Sequence, residues 1–167
     1  EWPVTQTIKC LAFYHPDDAE EMKLRQEREL MRVQDGARAT GKEVMIEIIA
    51  GKHGALDENT LSRALERLYA TGLRPDWWKL EPQANAAAWH AIDAVIHKHD
   101  PNCRGVVMLG LDAPAAELKA AFNASAASSQ VKGFAVGRTL WASVAEGWLA
   151  GRMTDQEAIE TMADNFA

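Results

Sequence analysis

Short β-rich apolar runs occur at residues 7–14, 44–50, 77–80, 105–111 and 131–136, each the length of a buried strand. A longer segment with helical periodicity follows every run. After the first, Pro16 suits a helix's opening turn, Asp17, Asp18, Glu20 and Glu21 complement its positive end, and Gly41 marks its stop. Ala19, Met22, Leu30, Val33 and Ala37 then predict the buried face, which leaves Lys23, Arg25, Glu27, Arg28 and Glu29 mostly toward solvent. The second helix is expected to start with Asp57 as N-cap, stack Leu61, Leu65 and Leu68, and end at Gly72, with Pro75 preventing continuation. The third, residues 85–99, buries Trp89, Ile92 and Ile96. The fourth follows Asp112-Ala113-Pro114 and buries Leu118, Ala121 and Phe122, and a fifth follows Gly137-Arg138-Thr139.

Strands alternating with helices predict right-handed crossovers and a parallel sheet, hence the α/β class. Continuous apolar strands imply cover on both faces or closure into a barrel. Five βα units cannot alone close an eight-stranded barrel, which takes about 250 residues. Either the sheet is open or strands are missing. The opening Glu1-Trp2-Pro3 has no initiator Met and no signal-peptide pattern, so the chain reads as one domain's worth of something longer.

Composition narrows the function. Eighteen Lys and Arg against 24 Asp and Glu give a net charge of −6, with 47% apolar and 25% charged residues, the proportions of a globular protein. The acidic balance argues against nucleic acid as a partner, and no apolar stretch approaches a membrane span. Cys10 and Cys103 stand far apart in no metal or redox motif, which fits reduced thiols in a cytoplasm.

Three of the strands carry a charge in mid-run: Lys9 in TIKCLAFYH, Glu47 in EVMIEIIA and Lys79 in WWKLEP. Desolvating an unpaired charge is expensive, so these groups are expected to pair, to shift in pKa, or both. Strand alternation puts Lys79 and Glu81 on one face, as it does Met45, Glu47 and Ile49, and Lys9, Leu11 and Phe13. If those faces converge, two lysines meet a carboxylate. In general, a neighbouring cation and a partly dry site leave a lysine some neutral amine, which can attack a ketone. The iminium so formed permits carbon–carbon cleavage, and a carboxylate moves the protons. The same cluster also suits a buried ion-pair network that only ties strands together.

The last strand runs into Gly137 and Arg138, where a glycine admits a ligand to the backbone and the arginine can grip a phosphate. The preceding strand also ends in a glycine, in Leu109-Gly110-Leu111-Asp112. His97 and His99 are two apart, the wrong spacing for a helical metal pair, and His15, His53 and His90 stand alone. No metal is expected. The tryptophans, including Trp77, Trp78, Trp89, Trp141 and Trp148, read as packing, although one could floor a sugar site.

Taken together, IKCLAFYHPDD, WWKLEP, CRGVVMLGLDAP and VKGFAVGRTLW resemble the 2-deoxy-5-keto-gluconate 6-phosphate aldolase-type domain fused behind a sugar kinase, 5-dehydro-2-deoxygluconokinase, in bacterial inositol catabolism. That domain is similar to the lysine-dependent tagatose-bisphosphate aldolases, and the resemblance covers essentially the whole chain. It implies a (β/α)8 TIM barrel of which this chain holds the fourth to eighth strands. It also implies cleavage to dihydroxyacetone phosphate and malonate semialdehyde, without metal or cofactor. The Schiff-base lysine of such aldolases matches Lys79, the fourth-strand lysine Lys9, the fifth-strand acid Glu47, and the phosphate-binding pair Gly137 and Arg138. Gly110, Asp112 and Glu81 complete the expected substrate contacts.

The expectation is thus a cytoplasmic class I aldolase in which Lys79 forms the iminium, Lys9 contacts a substrate oxygen and Glu47 moves protons. The kinase domain would share its polypeptide, and five strands with an exposed sheet edge should associate as a homo-oligomer. Without the first three strands, this portion by itself could be inactive. An aldolase for tagatose bisphosphate or another ketose phosphate, and a non-catalytic accessory domain of the kinase fusion, are the alternatives.

Overall fold

The computed structural model describes residues 2–110 and 115–166. Its elements run β1 (Ile8–Phe13), α1 (Glu20–Ala39), β2 (Val44–Ile49), α2 (Thr60–Ala70), β3 (Trp77–Leu80), α3 (Ala86–His99), β4 (Gly105–Leu109), α4 (Ala115–Ser125), β5 (Val131–Ala135), α5 (Arg138–Leu149) and α6 (Asp155–Phe166). The strands form one parallel sheet in the order β1-β2-β3-β4-β5. Each strand lies beside its sequence neighbour, so crossovers of one hand lay the helices on one face of the sheet. A doubly wound sheet would need a reversal of strand order, and this sheet has none. The predicted α/β class with a parallel sheet is therefore the observed one. The strand predicted over 105–111 ends at Leu109, and Leu111 lies outside the described residues.

Alternation separates the two faces. Ile46, Ile48, Trp78, Leu80, Val106 and Met108 face the helices and are at most 1% exposed. They share a core with Leu61, Leu65 and Leu68 of α2 and with Trp89, Ile92 and Ile96 of α3. Burial of each aliphatic side chain contributes roughly 1.5–3 kcal/mol, so this layer fixes which face of each strand turns inward. The opposite face carries Lys9, Leu11, Phe13, Glu47, Ile49, Lys79, Val107, Leu109 and Ala135, with Leu11 and Phe13 exposed.

Helix α1 corrects the sequence reading. Its buried stripe is Lys23, Glu27, Leu30, Gln34 and Ala37, while Met22 is exposed. The charges turn inward because directional partners wait there. Lys23 Nζ donates to Pro16 O at 2.9 Å, Tyr14 Oη donates to Glu27 Oε1 at 2.7 Å, and Arg67 of α2 donates to the same carboxylate. Burial, and then the Glu27 carboxylate, push the Tyr14 phenol above its ordinary range.

Helix α2 begins at Thr60 with Asn59 as N-cap, two residues beyond the N-cap expected at Asp57. Asp57 instead accepts from Asn59 N and Thr60 Oγ1 in the turn before the helix. Helix α6 is absent from the sequence reading, yet it carries a capping box: Thr154 N donates to Glu157 Oε2, and Glu157 N to Thr154 Oγ1.

Candidate active site

Register brings the charged strand residues together. Glu47 and Lys79 are direct partners on β2 and β3, while Lys9 of β1 pairs with Met45, two residues earlier on the same face as Glu47. Lys79 Nζ stands 3.4 Å from Glu47 Oε2, and Lys9 Nζ is ion-paired with that same oxygen. Oε2 has no hydrogen-bond partner among the described residues, so both amines meet it as ion pairs without hydrogen-bonding geometry. The side chains are 6% exposed for Glu47, 17% for Lys79 and 44% for Lys9. One sealed carboxylate therefore holds a half-sheltered amine and an open one. Two formal positive charges face one negative charge, with water reaching the Lys9 amine and little reaching the carboxylate.

The trio floors a cavity of about 400 Å³, whose wall also includes Leu11, Ile49, Leu109, Gly110, Ala135, Gly137, Arg138, Thr139 and Trp141. Residues of β1 and of β5 line one space, so this face of the sheet is concave. At its far rim Gly137 is the N-cap of α5 and Arg138 the first helical residue, which aims the helix's positive end at the cavity. Gly110 closes the wall: a Cβ there would come 3.1 Å from the Val136 side chain. Lys9, Glu47, Lys79, Gly110, Gly137 and Arg138 thus share one cavity.

Glu81 does not join them. It is buried, and its carboxylate accepts from Ala50 N at 2.7 Å and Gly51 N at 3.1 Å, clamping the end of β2 to the end of β3. Strand β3 ends at Leu80, so the alternation that would have kept Glu81 on Lys79's face stops one residue short. Asp112 lies outside the described residues.

Trp78 and Trp89 are core residues, as expected, but Trp141 lines the cavity and is half-exposed, and Trp148 donates to Asp155 on the surface. Thr139 was not singled out from the sequence. The signal was available: a helix starting at Arg138 puts Trp141 one turn later on the same face. His97 Nδ1 donates to Asp93 O, and His99 stacks on Tyr69 beside Glu66, so both serve packing at the opposite end of α3.

A family of bacterial proteins, described as "Uncharacterized protein conserved in bacteria", matches residues 1–167. The chain belongs to that family, DUF2090. No curated protein matches this DUF2090 chain. The family description names no reaction, so the chemistry of DUF2090 has to come from the cleft itself.

Proposed function

We propose that this protein is a Schiff-base aldolase acting on a phosphorylated keto sugar acid, with 2-deoxy-5-keto-gluconate 6-phosphate as the substrate. The observation that carries the reading is the Lys79–Glu47–Lys9 trio at the floor of a cavity whose rim holds Gly137 and Arg138. Lys79 Nζ, as the neutral amine, adds to the ketone carbon. Glu47 delivers a proton to the carbinolamine oxygen, which leaves as water, and an iminium remains. Glu47 then takes the proton of the β-hydroxyl. The bond between the α and β carbons breaks, its electron pair passes to the iminium, and the products are an enamine on Lys79 and a free aldehyde, malonate semialdehyde. Protonation of the enamine at the α carbon and addition of water release dihydroxyacetone phosphate and restore Lys79. Lys9 pairs with the carboxylate throughout and faces the substrate oxygens, while Arg138 with the α5 amide end takes the phosphate.

On this reading the five strands are the fourth to eighth of a (β/α)8 barrel, and the exposed concave residues Leu11 and Phe13 are where the remaining strands pack. A kinase domain in the same polypeptide and self-association belong to the same proposal. Borohydride reduction in the presence of dihydroxyacetone phosphate, read by peptide mass spectrometry, tests the chemistry. Run on this chain and on a longer polypeptide, it should leave a stable adduct on Lys79 that Lys79→Ala abolishes. No adduct in either polypeptide overturns the aldolase and leaves an ion-pair cluster of purely structural use. Turnover of tagatose bisphosphate in place of the keto acid phosphate would keep the mechanism and change the substrate.

A further inference from the structure

Just beyond the cavity-lining Ile49, the chain carries a second constellation that the lysine chemistry does not use. The turn after β2 reads Gly51-Lys52-His53-Gly54, closed by His53 N and Gly54 N donating to Ala50 O at 2.9 and 3.3 Å. His53 Nδ1 meets Asp18 Oδ2 at 2.9 Å, and the same oxygen accepts from His15 N at 2.8 Å. His15 is itself held: Nδ1 accepts from Asp17 N at 3.2 Å, so Nε2 carries the hydrogen and donates to Ala55 O at 3.3 Å. The turn sits so close on this buried ring that a Cβ at Gly54 would lie 2.9 Å from His15 Nε2. The His53 ring is thereby fixed from two loops. Its centroid is 6.1 Å from that of Phe13, which lies on the concave face two residues beyond the cavity-lining Leu11 and pairs with Ile49, another wall residue.

With Nδ1 committed to Asp18, Nε2 is the ring's remaining nitrogen, and neither it nor the exposed Lys52 amine has a partner among the described residues. Asp17, next to Asp18 in the chain, is paired with Arg63. Arg138 with the α5 terminus thus stands beyond β5, and Lys52 with the Asp18-held His53 beyond β2. Three strand spacings separate them, about 14 Å along the sheet and less across its concave chord. A sugar-sized chain plus the reach of an arginine covers that span, with the lysines midway.

We infer that His53, oriented by Asp18 and assisted by Lys52, binds a carboxylate at the end of the substrate remote from the phosphate. This rests on the aldolase reading and deepens it: the site selects a substrate anionic at both ends over a neutral-ended ketose phosphate.

The test uses the unmodified protein and 3-hydroxypropionate, a stable mimic of the aldehyde acid fragment. Carbethoxylation of His53 by diethylpyrocarbonate, followed by peptide mapping, should slow about fivefold with the probe at roughly four times its Kd, because protection rises as one plus ligand over Kd. Inorganic phosphate at equal concentration should not protect it. Absence of protection by 3-hydroxypropionate, or equal protection by phosphate, overturns the assignment. His53→Gln should weaken 3-hydroxypropionate about tenfold, the scale of one charge-assisted hydrogen bond, and unchanged affinity in a folded variant also overturns it. The two readings fail separately, since borohydride trapping with dihydroxyacetone phosphate involves no carboxylate. Trapping at Lys79 without protection of His53 sinks the carboxylate site alone, and protection without trapping sinks the aldolase alone.

Discussion

Replacing Glu81 by alanine isolates the clamp from the chemistry. Its carboxylate is the acceptor for both Ala50 N and Gly51 N, and the residue is only 2% exposed. Truncation leaves the buried Ala50 amide without an acceptor, at about 1–3 kcal/mol, while water can replace the carboxylate at the exposed Gly51. Unfolding free energies of domains this size are about 5–15 kcal/mol, so the variant should lose a measurable share of its stability. Urea unfolding followed by the fluorescence of the buried Trp78 and Trp89 measures it directly. Glu81→Gln should fall between the two, since one amide oxygen can keep Ala50 N while the new NH₂ faces the Gly51 N–H. A loss below about 1 kcal/mol for the alanine variant refutes the clamp. If substrate affinity fell instead while stability held, Glu81 would be the substrate contact first expected from the strand alternation.

Two further outcomes follow from the geometry. Gly105 has φ +135°, and a Cβ there would sit 2.5 Å from Gln130 O, so Gly105→Ala should cost about 2–4 kcal/mol through backbone strain and overpacking, seen as a drop in Tm. A wild-type Tm in that variant would contradict the close approach of β4 to the 128–130 turn. Burial works to raise Asp18, but the His53 ring and the His15 N–H hold it below the ordinary carboxylate value, as Thr60 does Asp57 and Lys98 does Glu66. The unfolded chain therefore binds more protons near pH 4, so the stability these groups contribute is present above about pH 4 and lost as pH falls through their folded values. Thermal unfolding between pH 7 and 3 should show that decline, with a shallower slope in Asp18→Asn; an unchanged slope removes Asp18 from the account.

The strands were legible because each is a short, nearly pure apolar run, and the charges interrupting three of them marked the floor of the cavity. The face of α1 was not. Its inward residues Lys23, Glu27 and Gln34 satisfy partners on Pro16, Tyr14, Arg67 and the Arg74 backbone, none of which a count of apolar spacings registers. Glu81 was misplaced because the pattern does not reveal that the strand ends at Leu80. Trp141 was read as packing because its neighbours depend on where α5 begins. Helix α6 escaped although Thr154 and Glu157 mark its start, since it follows another helix and no apolar strand run announces it.

The polar stripe of α1 also sets how that helix can be seated. A greasy stripe tolerates sliding or rolling by a fraction of a turn, because one methyl group replaces another at little loss. Glu27 between Tyr14 and Arg67, Lys23 against Pro16 O and Gln34 against Arg74 N admit one depth and one rotation, and any other leaves several buried groups stranded at once. Helix α1 therefore behaves as a key rather than a cushion: it engages the end of β1 in full or not at all.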